Sequence, residues 1–185
     1  MNLNLICLVG NIGVGKSTAC EIFKQNGYDE LTFAGPVKEI GMILGFEKQE
    51  LYGTQEDKLK DNKFWGVSGR EFMQKFATDI MRNELTKHIN MNMDGKTIWV
   101  RLCEKNIISK LKENKKIIVS DGRFPDEIEM IRKLGGKIIK IERNNNYDIS
   151  HLSESYINKI KSDIIIENNQ SFKDLKNKIE KLIFH

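Results

Sequence analysis

From Leu5 to Val9 every position is apolar, with Leu3 just before, so no two-residue alternation separates a wet face from a dry one. A strand buried on both faces of a parallel sheet reads this way. The run ends at Gly10-Asn11-Ile12-Gly13-Val14-Gly15-Lys16-Ser17-Thr18, after which Ala19, Ile22 and Phe23 recur at helical spacing until Asn26-Gly27 stops them. The order is strand, glycine loop, helix.

The pattern then repeats in other lengths. Tyr28 to Phe33 predicts a second strand, broken by Ala34-Gly35-Pro36. Pro36 is placed to open a helix through Val37, Ile40, Met42 and Leu44 that ends at Gly45. Phe46 to Val67 is irregular and highly charged, which predicts short helices joined by mobile loops. Ser68 and Glu71 have the spacing of a capping box, and Phe72, Met73, Phe76, Ala77 and Ile80 form the apolar face of the helix it starts. Gln74, Thr78 and Arg82 make a polar row on another side, either solvated or facing a cleft.

Asn90 to Gly95 reads as a loop. A helix from about Thr97 to Leu111 buries Val100, Cys103, Ile107 and Leu111, with Trp99 at the margin of that stripe, placed to cover the core or to stack on a base. Ile117 to Ser120 is a buried strand ending in Asp121. Gly122-Arg123-Phe124-Pro125-Asp126-Glu127 begins a helix through Ile128, Ile131 and Leu134, closed by Gly135-Gly136. Lys137 to Ile141 is a further strand, followed by Arg143 and a turn over Asn144 to Asn146. His151 to Ile160 predicts a short helix, Ile164 to Ile166 the last strand, and Asn168-Asn169 a turn. Ser171 caps a closing helix that packs inward through Phe172, Leu175, Ile179 and Leu182. Strands and helices alternate to the end, which predicts one three-layer α/β domain with about five parallel strands and helices on both faces.

Composition changes this picture little. The chain has 185 residues, 39% hydrophobic and 30% charged, enough for one full core. No apolar run approaches a membrane span and Met1-Asn2-Leu3 has no charged n-region, so a cytoplasmic protein with no membrane contact is expected. Cys7, Cys20 and Cys103 fall within strand and helix patterns and read as reduced, buried thiols. His88, His151 and His185 have no ligand spacing. A net charge of +4 without a basic stripe interleaved with aromatics suits an anionic substrate better than nucleic acid.

The chemistry sits in the first loop. Its sequence fits G-x-x-x-x-G-K-S in the strand-to-helix context that a phosphate-binding P-loop requires. Backbone N–H groups along Asn11, Gly13, Val14 and Gly15, with the positive end of the helix beginning at Lys16-Ser17-Thr18, would hold the polyphosphate of ATP. Lys16 would reach the β- and γ-phosphates and Ser17 would offer its hydroxyl to Mg²⁺. Asp121, at the end of a hydrophobic strand, is placed as the second Mg²⁺ residue. Arg123 leaves that strand edge where phosphates would lie. No N-K-x-D base-reading motif is present: Asn158-Lys159 is followed by Ile160-Lys161, and Asn177-Lys178 by Ile179-Glu180. That disfavours a regulatory GTPase and favours a small-molecule kinase.

A series of short motifs makes this more specific. Phe33-Ala34-Gly35-Pro36-Val37-Lys38-Glu39, Arg70-Glu71-Phe72-Met73-Gln74-Lys75-Phe76-Ala77-Thr78-Asp79 with Arg82, Trp99-Val100-Arg101-Leu102, Asp121-Gly122-Arg123 with Asp126-Glu127, and His151-Leu152-Ser153-Glu154 follow in order. Together they resemble the bacteriophage deoxynucleoside monophosphate kinases over essentially the whole chain. The resemblance implies the P-loop kinase fold and transfer of the ATP γ-phosphoryl to a deoxynucleoside monophosphate. It places an acceptor-binding region around 34–90 and a lid-like segment around 122–160. It assigns Arg82 and Arg123 to the transferred and acceptor phosphates, Arg70 and Lys38 to the acceptor, Asp79 to an arginine or the sugar, Trp99 beside the acceptor, and Arg143 over the donor adenine. Ala77 stands where the family carries glycine. A different kinase on this scaffold, of the dephospho-coenzyme A or phosphomevalonate type, and a nucleotide-sensing module without turnover are the alternatives, and a homodimer is left open.

Overall fold

The computed structural model describes residues 3–93, 97–144, 157 and 159–184. The last two residues of the turn expected over Asn144 to Asn146, the end of the loop expected over Asn90 to Gly95, most of the helix expected over 151–160, the corresponding part of the lid-like segment, and His151 and His185 lie outside them. Two compact units are present, one from Met1–Phe33 with Leu102–His185 and the other from Ala34–Arg101.

The first unit is built on a parallel sheet. Its strands are β1 (Leu5–Val9), β2 (Tyr28–Leu31), β3 (Lys116–Val119), β4 (Lys137–Glu142) and β5 (Ile164–Glu167). They lie in the order β2-β3-β1-β4-β5, every pairing parallel. The unbroken apolar run of β1 follows from its central place, and all five of its residues are buried. On one face Ile6, Leu8, Ile118, Ile139, Ile141 and Ile166 pack with Ala19, Ile22 and Phe23 of α1 (Lys16–Gln25) and with Leu175 and Ile179 of the closing helix (Phe172–Phe184). Ser171 caps that closing helix, its Oγ accepting from Asp174 N–H at 3.3 Å. Phe172, expected to pack inward, is 59% exposed instead, because it is the first helical residue and lies at the margin of the stripe centred on Leu175 and Ile179.

The opposite face carries Leu5, Cys7 and Val9. A Cβ on Gly122 would stand 2.4 Å from Cys7 Sγ, and one on Gly136 would stand 2.7 Å from Ile131 and 2.8 Å from Leu5. The turn after β3 and the end of the helix Pro125–Lys133 therefore lie directly on β1. The second strand is shorter than expected. It stops at Leu31, because Phe33 N–H turns to donate to Asp121 Oδ1 at 2.8 Å rather than to a strand neighbour.

The cysteines are free and buried. Burial is the first cause that pushes the Cys7 thiol well above its ordinary value, with Glu127 and Asp121 adding to it, and it lifts Cys20 to about 12. Since the thiolate is the reactive form, the folded chain is expected to resist a water-soluble disulfide reagent at neutral pH and to expose three reactive thiols after denaturation. Fast labelling of Cys7 or Cys103 in the native state would contradict this packing.

The second unit is helical. It contains α2 (Gly35–Ile43), α3 (Lys48–Tyr52), α4 (Gln55–Leu59), α5 (Gly69–Gln74), a π-helical stretch (Lys75–Glu84) and α6 (Leu85–His88), and it includes the start of α7 (Ile98–Lys112). The stripe expected on α2 is displaced. Val37 and Gly41 are buried, whereas Met42 and Leu44 are more than two-fifths exposed. Gly41 explains the shift, since a Cβ there would be 2.9 Å from Leu51 and 3.0 Å from Phe72, and the helix must approach by its bare backbone. Phe46, Phe72 and Phe76 form a stack with centroid spacings of 4.7 and 5.3 Å.

The single α-helix expected from Ser68 does not continue as one. Ser68 Oγ accepts from Glu71 N–H at 3.1 Å as the spacing requires, while Glu71 pairs with Lys75 at 2.7 Å. Beyond Gln74 the chain widens into π geometry, closed by Leu85 N–H donating to Ile80 O. The wider turn changes the angle per residue, so Ile80 swings out to 52% exposure and leaves the apolar face to Phe72 and Phe76.

Candidate active site

The loop between β1 and α1 wraps as its glycines permit. Gly10, Gly13 and Gly15 have φ of 152°, 78° and 101°, backbone that other residues rarely adopt. Two of them are also pressed from outside: a Cβ on Gly10 would be 2.5 Å from Ile141 O, and one on Gly15 would be 2.4 Å from Asn168 Nδ2. The end of β4 and the residue after β5 thus hold the loop against the carboxyl edge of the sheet, the edge where α/β folds place their ligands.

Three features suit this loop to hold an anion. Gly15 is the N-cap of α1, no side chain caps the first turn, and no acidic residue occupies it, so the turn keeps its donors and its positive dipole end for a ligand. Lys16 is half-buried, and its Nζ donates to Gly10 O at 2.6 Å and to Asn11 O at 2.7 Å, which holds the cation inside the curl. Asn11 Oδ1 is buried there without a hydrogen-bond partner. Ser17 and Thr18 are exposed at the first turn.

Asp121 lies two residues beyond β3 on the same edge, with Oδ1 receiving the Phe33 N–H. The next turn is anchored by Glu127, which is 3% exposed. Its Oε2 accepts from Arg123 N–H at 2.8 Å and from Phe124 N–H at 3.0 Å, fixing the backbone from which the half-buried Arg123 projects. Arg143 is exposed just after β4. Ser17 and Asp121 offer one hydroxyl and one carboxylate. Among the described residues no group of three or more His, Cys, Asp or Glu is gathered for an ion. The hydroxyl of Ser17 with the carboxylate of Asp121 is a donor pair that suits Mg²⁺, which keeps several waters and arrives with substrate phosphates.

In the helical unit, Arg70 donates through Nη2 to Gln55 Oε1 while its Nε is buried without a partner. Lys38 Nζ stands 4.5 Å over the Tyr52 ring. Arg82 is half-buried and Asp79 exposed on the π-helical stretch. Trp99 is 5% exposed and its indole N–H donates to Ala77 O at 2.8 Å. Of the two readings of Trp99, cover for the core or a face for a base, its burial fits the first.

The sequence names Glu127 and Asn168 but gives neither a role in the site. Glu127 has the N3 spacing of a helix start behind Pro125, a signal that was available. Asn168 looked like a turn residue. Only its position just past an apolar strand, on the ligand edge of the sheet, hinted at more.

The sequence profile of the deoxynucleotide monophosphate kinase family matches residues 47–179. A chain of Acanthamoeba polyphaga mimivirus that carries a provisional designation as a deoxynucleotide monophosphate kinase is 33% identical over 186 residues, 95% of this chain and 93% of that one. The deoxynucleotide monophosphate kinase of Escherichia phage RB69 is 26% identical over 124 residues, 66% of this chain and 46% of that one. Among solved structures, a dephospho-CoA kinase from Campylobacter jejuni aligns over 98% of this chain and 96% of its own, with 19% identity and a TM-score of 0.47, a likeness that carries no argument about substrate.

Proposed function

This chain belongs to the deoxynucleotide monophosphate kinase family, and from that premise we propose which of its residues carry the ATP-dependent transfer of a phosphoryl group to a deoxynucleoside monophosphate. The products are ADP and a deoxynucleoside diphosphate. The observation that carries the assignment is the glycine loop with its uncapped helix end and its inward lysine.

The acceptor brings an ionised phosphate oxygen, so no general base is needed. The work left to the protein is alignment and compensation of charge between two polyanions. The loop N–H groups from Asn11 to Thr18 hold the donor phosphates, and Lys16 moves with its charge onto the β- and γ-phosphates. Ser17 and Asp121 would hold Mg²⁺, which would further neutralise the triphosphate. Arg143 covers the donor base. Arg82 and Arg123 compensate the charge on the transferred group and the acceptor phosphate. Arg70 and Lys38 bind the acceptor, with Asp79 orienting an arginine or meeting the sugar.

Arg70 has support of its own, because a guanidinium Nε buried without a partner is a donor still lacking its acceptor. Arg70→Ala is expected to raise KM for the acceptor by roughly tenfold or more, the loss of about one charge-assisted bond, while KM for ATP stays put. An unchanged acceptor KM would take Arg70 out of the site.

Coupled ADP-release assays over the deoxynucleoside monophosphates, with dephospho-coenzyme A and phosphomevalonate as controls, test the reading as a whole. ADP release with at least one deoxynucleoside monophosphate and not with the controls is expected. Release with a control alone would reassign the acceptor. Release with none would leave a binding module.

A further inference from the structure

Asn168 directly follows β5 and is 8% exposed. Its own N–H donates to Glu142 O at 2.7 Å, and its Nδ2 donates to Val14 O at 2.9 Å across 154 positions of sequence. The same nitrogen fills the place where a side chain on Gly15 would begin. A buried carboxamide spent on one carbonyl of a ligand loop asks for an explanation beyond packing.

Peptide geometry supplies it. The chain has no cis bond among its described residues, and a trans peptide points its C=O and N–H in opposite directions. Holding the Val14 oxygen against Asn168 therefore turns the N–H of Gly15 the other way, away from Asn168. Glycine needs that hold. With φ at 101°, Gly15 has conformational freedom that a side chain would remove, so its peptide can rotate at little cost unless its oxygen is tied. We infer that Asn168 is a positioning residue of the donor site, its carboxamide pinning the Val14 carbonyl so that the Gly15 N–H is aimed at the donor phosphates before they arrive. Preorganisation of this kind spares the reorganisation that a mobile donor must undergo when charge appears. The inference rests on the reading of the loop as the ATP site.

Two variants separate a donor from a spacer. Asn168→Ala removes both volume and donor, and Asn168→Leu restores volume without the donor. Both are expected to bind ADP about tenfold or more weakly, with kcat lowered by a similar factor, when measured by titration calorimetry and turnover below their melting temperatures. Leucine restoring parental ADP affinity would overturn the inference in favour of plain packing, and so would parental affinity in both variants. If neither variant folds, the carboxamide protons of Asn168 in the parent chain decide. Slow exchange by NMR supports the pin, and exchange as fast as a free amide removes it. Lys16→Ala run alongside tells the two readings apart. If that variant binds ADP like the parent, the loop is not the nucleotide site, whereas loss there with retention in Asn168→Leu sinks the pin alone.

Discussion

Replacing Lys16 with alanine is expected to lower kcat by roughly two to three orders of magnitude, the usual cost of removing one preorganised electrostatic contact to a developing charge. The side chain now ties two loop carbonyls, Gly10 O at 2.6 Å and Asn11 O at 2.7 Å, from a half-buried position. Both contacts are to neutral oxygens, so exchanging them for phosphate oxygens replaces dipoles by full charges and is favourable for the cation. Lys16→Arg should not rescue the enzyme, because the planar guanidinium is wider than an ammonium and the curl has been shaped around a point charge. Steady-state turnover with calorimetric ADP binding and a melting curve reads the three consequences separately. Parental turnover in Lys16→Ala would remove the loop from the reaction.

The parts of the molecule legible in the sequence are those where one physical requirement dominates. The all-apolar run of β1 had to be a central strand, and it has neighbours on both sides. Gly10, Gly13 and Gly15 had to be a left-handed curl, and their φ values make it one. Ser68 and Ser171 had to cap, and both accept from the N–H three residues on. Misreadings arose where two requirements compete. On α2, hydrophobicity alone would turn Met42 and Leu44 inward, but the tight contact at Gly41 buries Val37 and Gly41 instead. After Gln74 an α period was assumed, and the change to π geometry cannot be read from residue types that fit either helix. Trp99, at the margin of its stripe, fits either the core or a base by residue type, and its burial and the indole N–H donating to Ala77 O favour the core.

What sequence reading could not supply in the site is long-range pairing. Asp121 with Phe33 spans 88 positions and Asn168 with Val14 spans 154. Val14 and Phe33 each lie in a motif, but the motif says nothing of the pairing, since one takes part by a backbone carbonyl and the other by a backbone N–H. Parallel strand order is what makes them neighbours: β3 lies beside β1 and β2, and β5 lies beside β4, so their carboxyl ends collect around one loop. A fold of this kind assembles its site from strand ends that are distant in the chain.

Arg123→Ala should be the second most damaging change, and its signature differs from that of Lys16. The backbone under Arg123 is held independently of its side chain, by Glu127 Oε2 accepting the Arg123 and Phe124 N–H groups and by Gly122 lying against Cys7. Truncation therefore leaves the turn and the start of the helix after it in place, and the melting temperature is expected to stay near that of the parent. The charge lost is one that matters when negative charge is shared between two polyanions, so kcat should fall by about a hundredfold or more while KM for ATP changes little. Arg123→Lys tests the geometry of the group: a point charge restores part of the attraction but not a bidentate grip, so partial recovery of kcat is expected. The reverse experiment is Glu127→Gln, which keeps the arginine but weakens the acceptor beneath its backbone; it should lower kcat less than Arg123→Ala and lower the melting temperature more. Near-parental turnover in Arg123→Ala would assign the guanidinium to the surface and leave the transfer step to Lys16 and the remaining arginines.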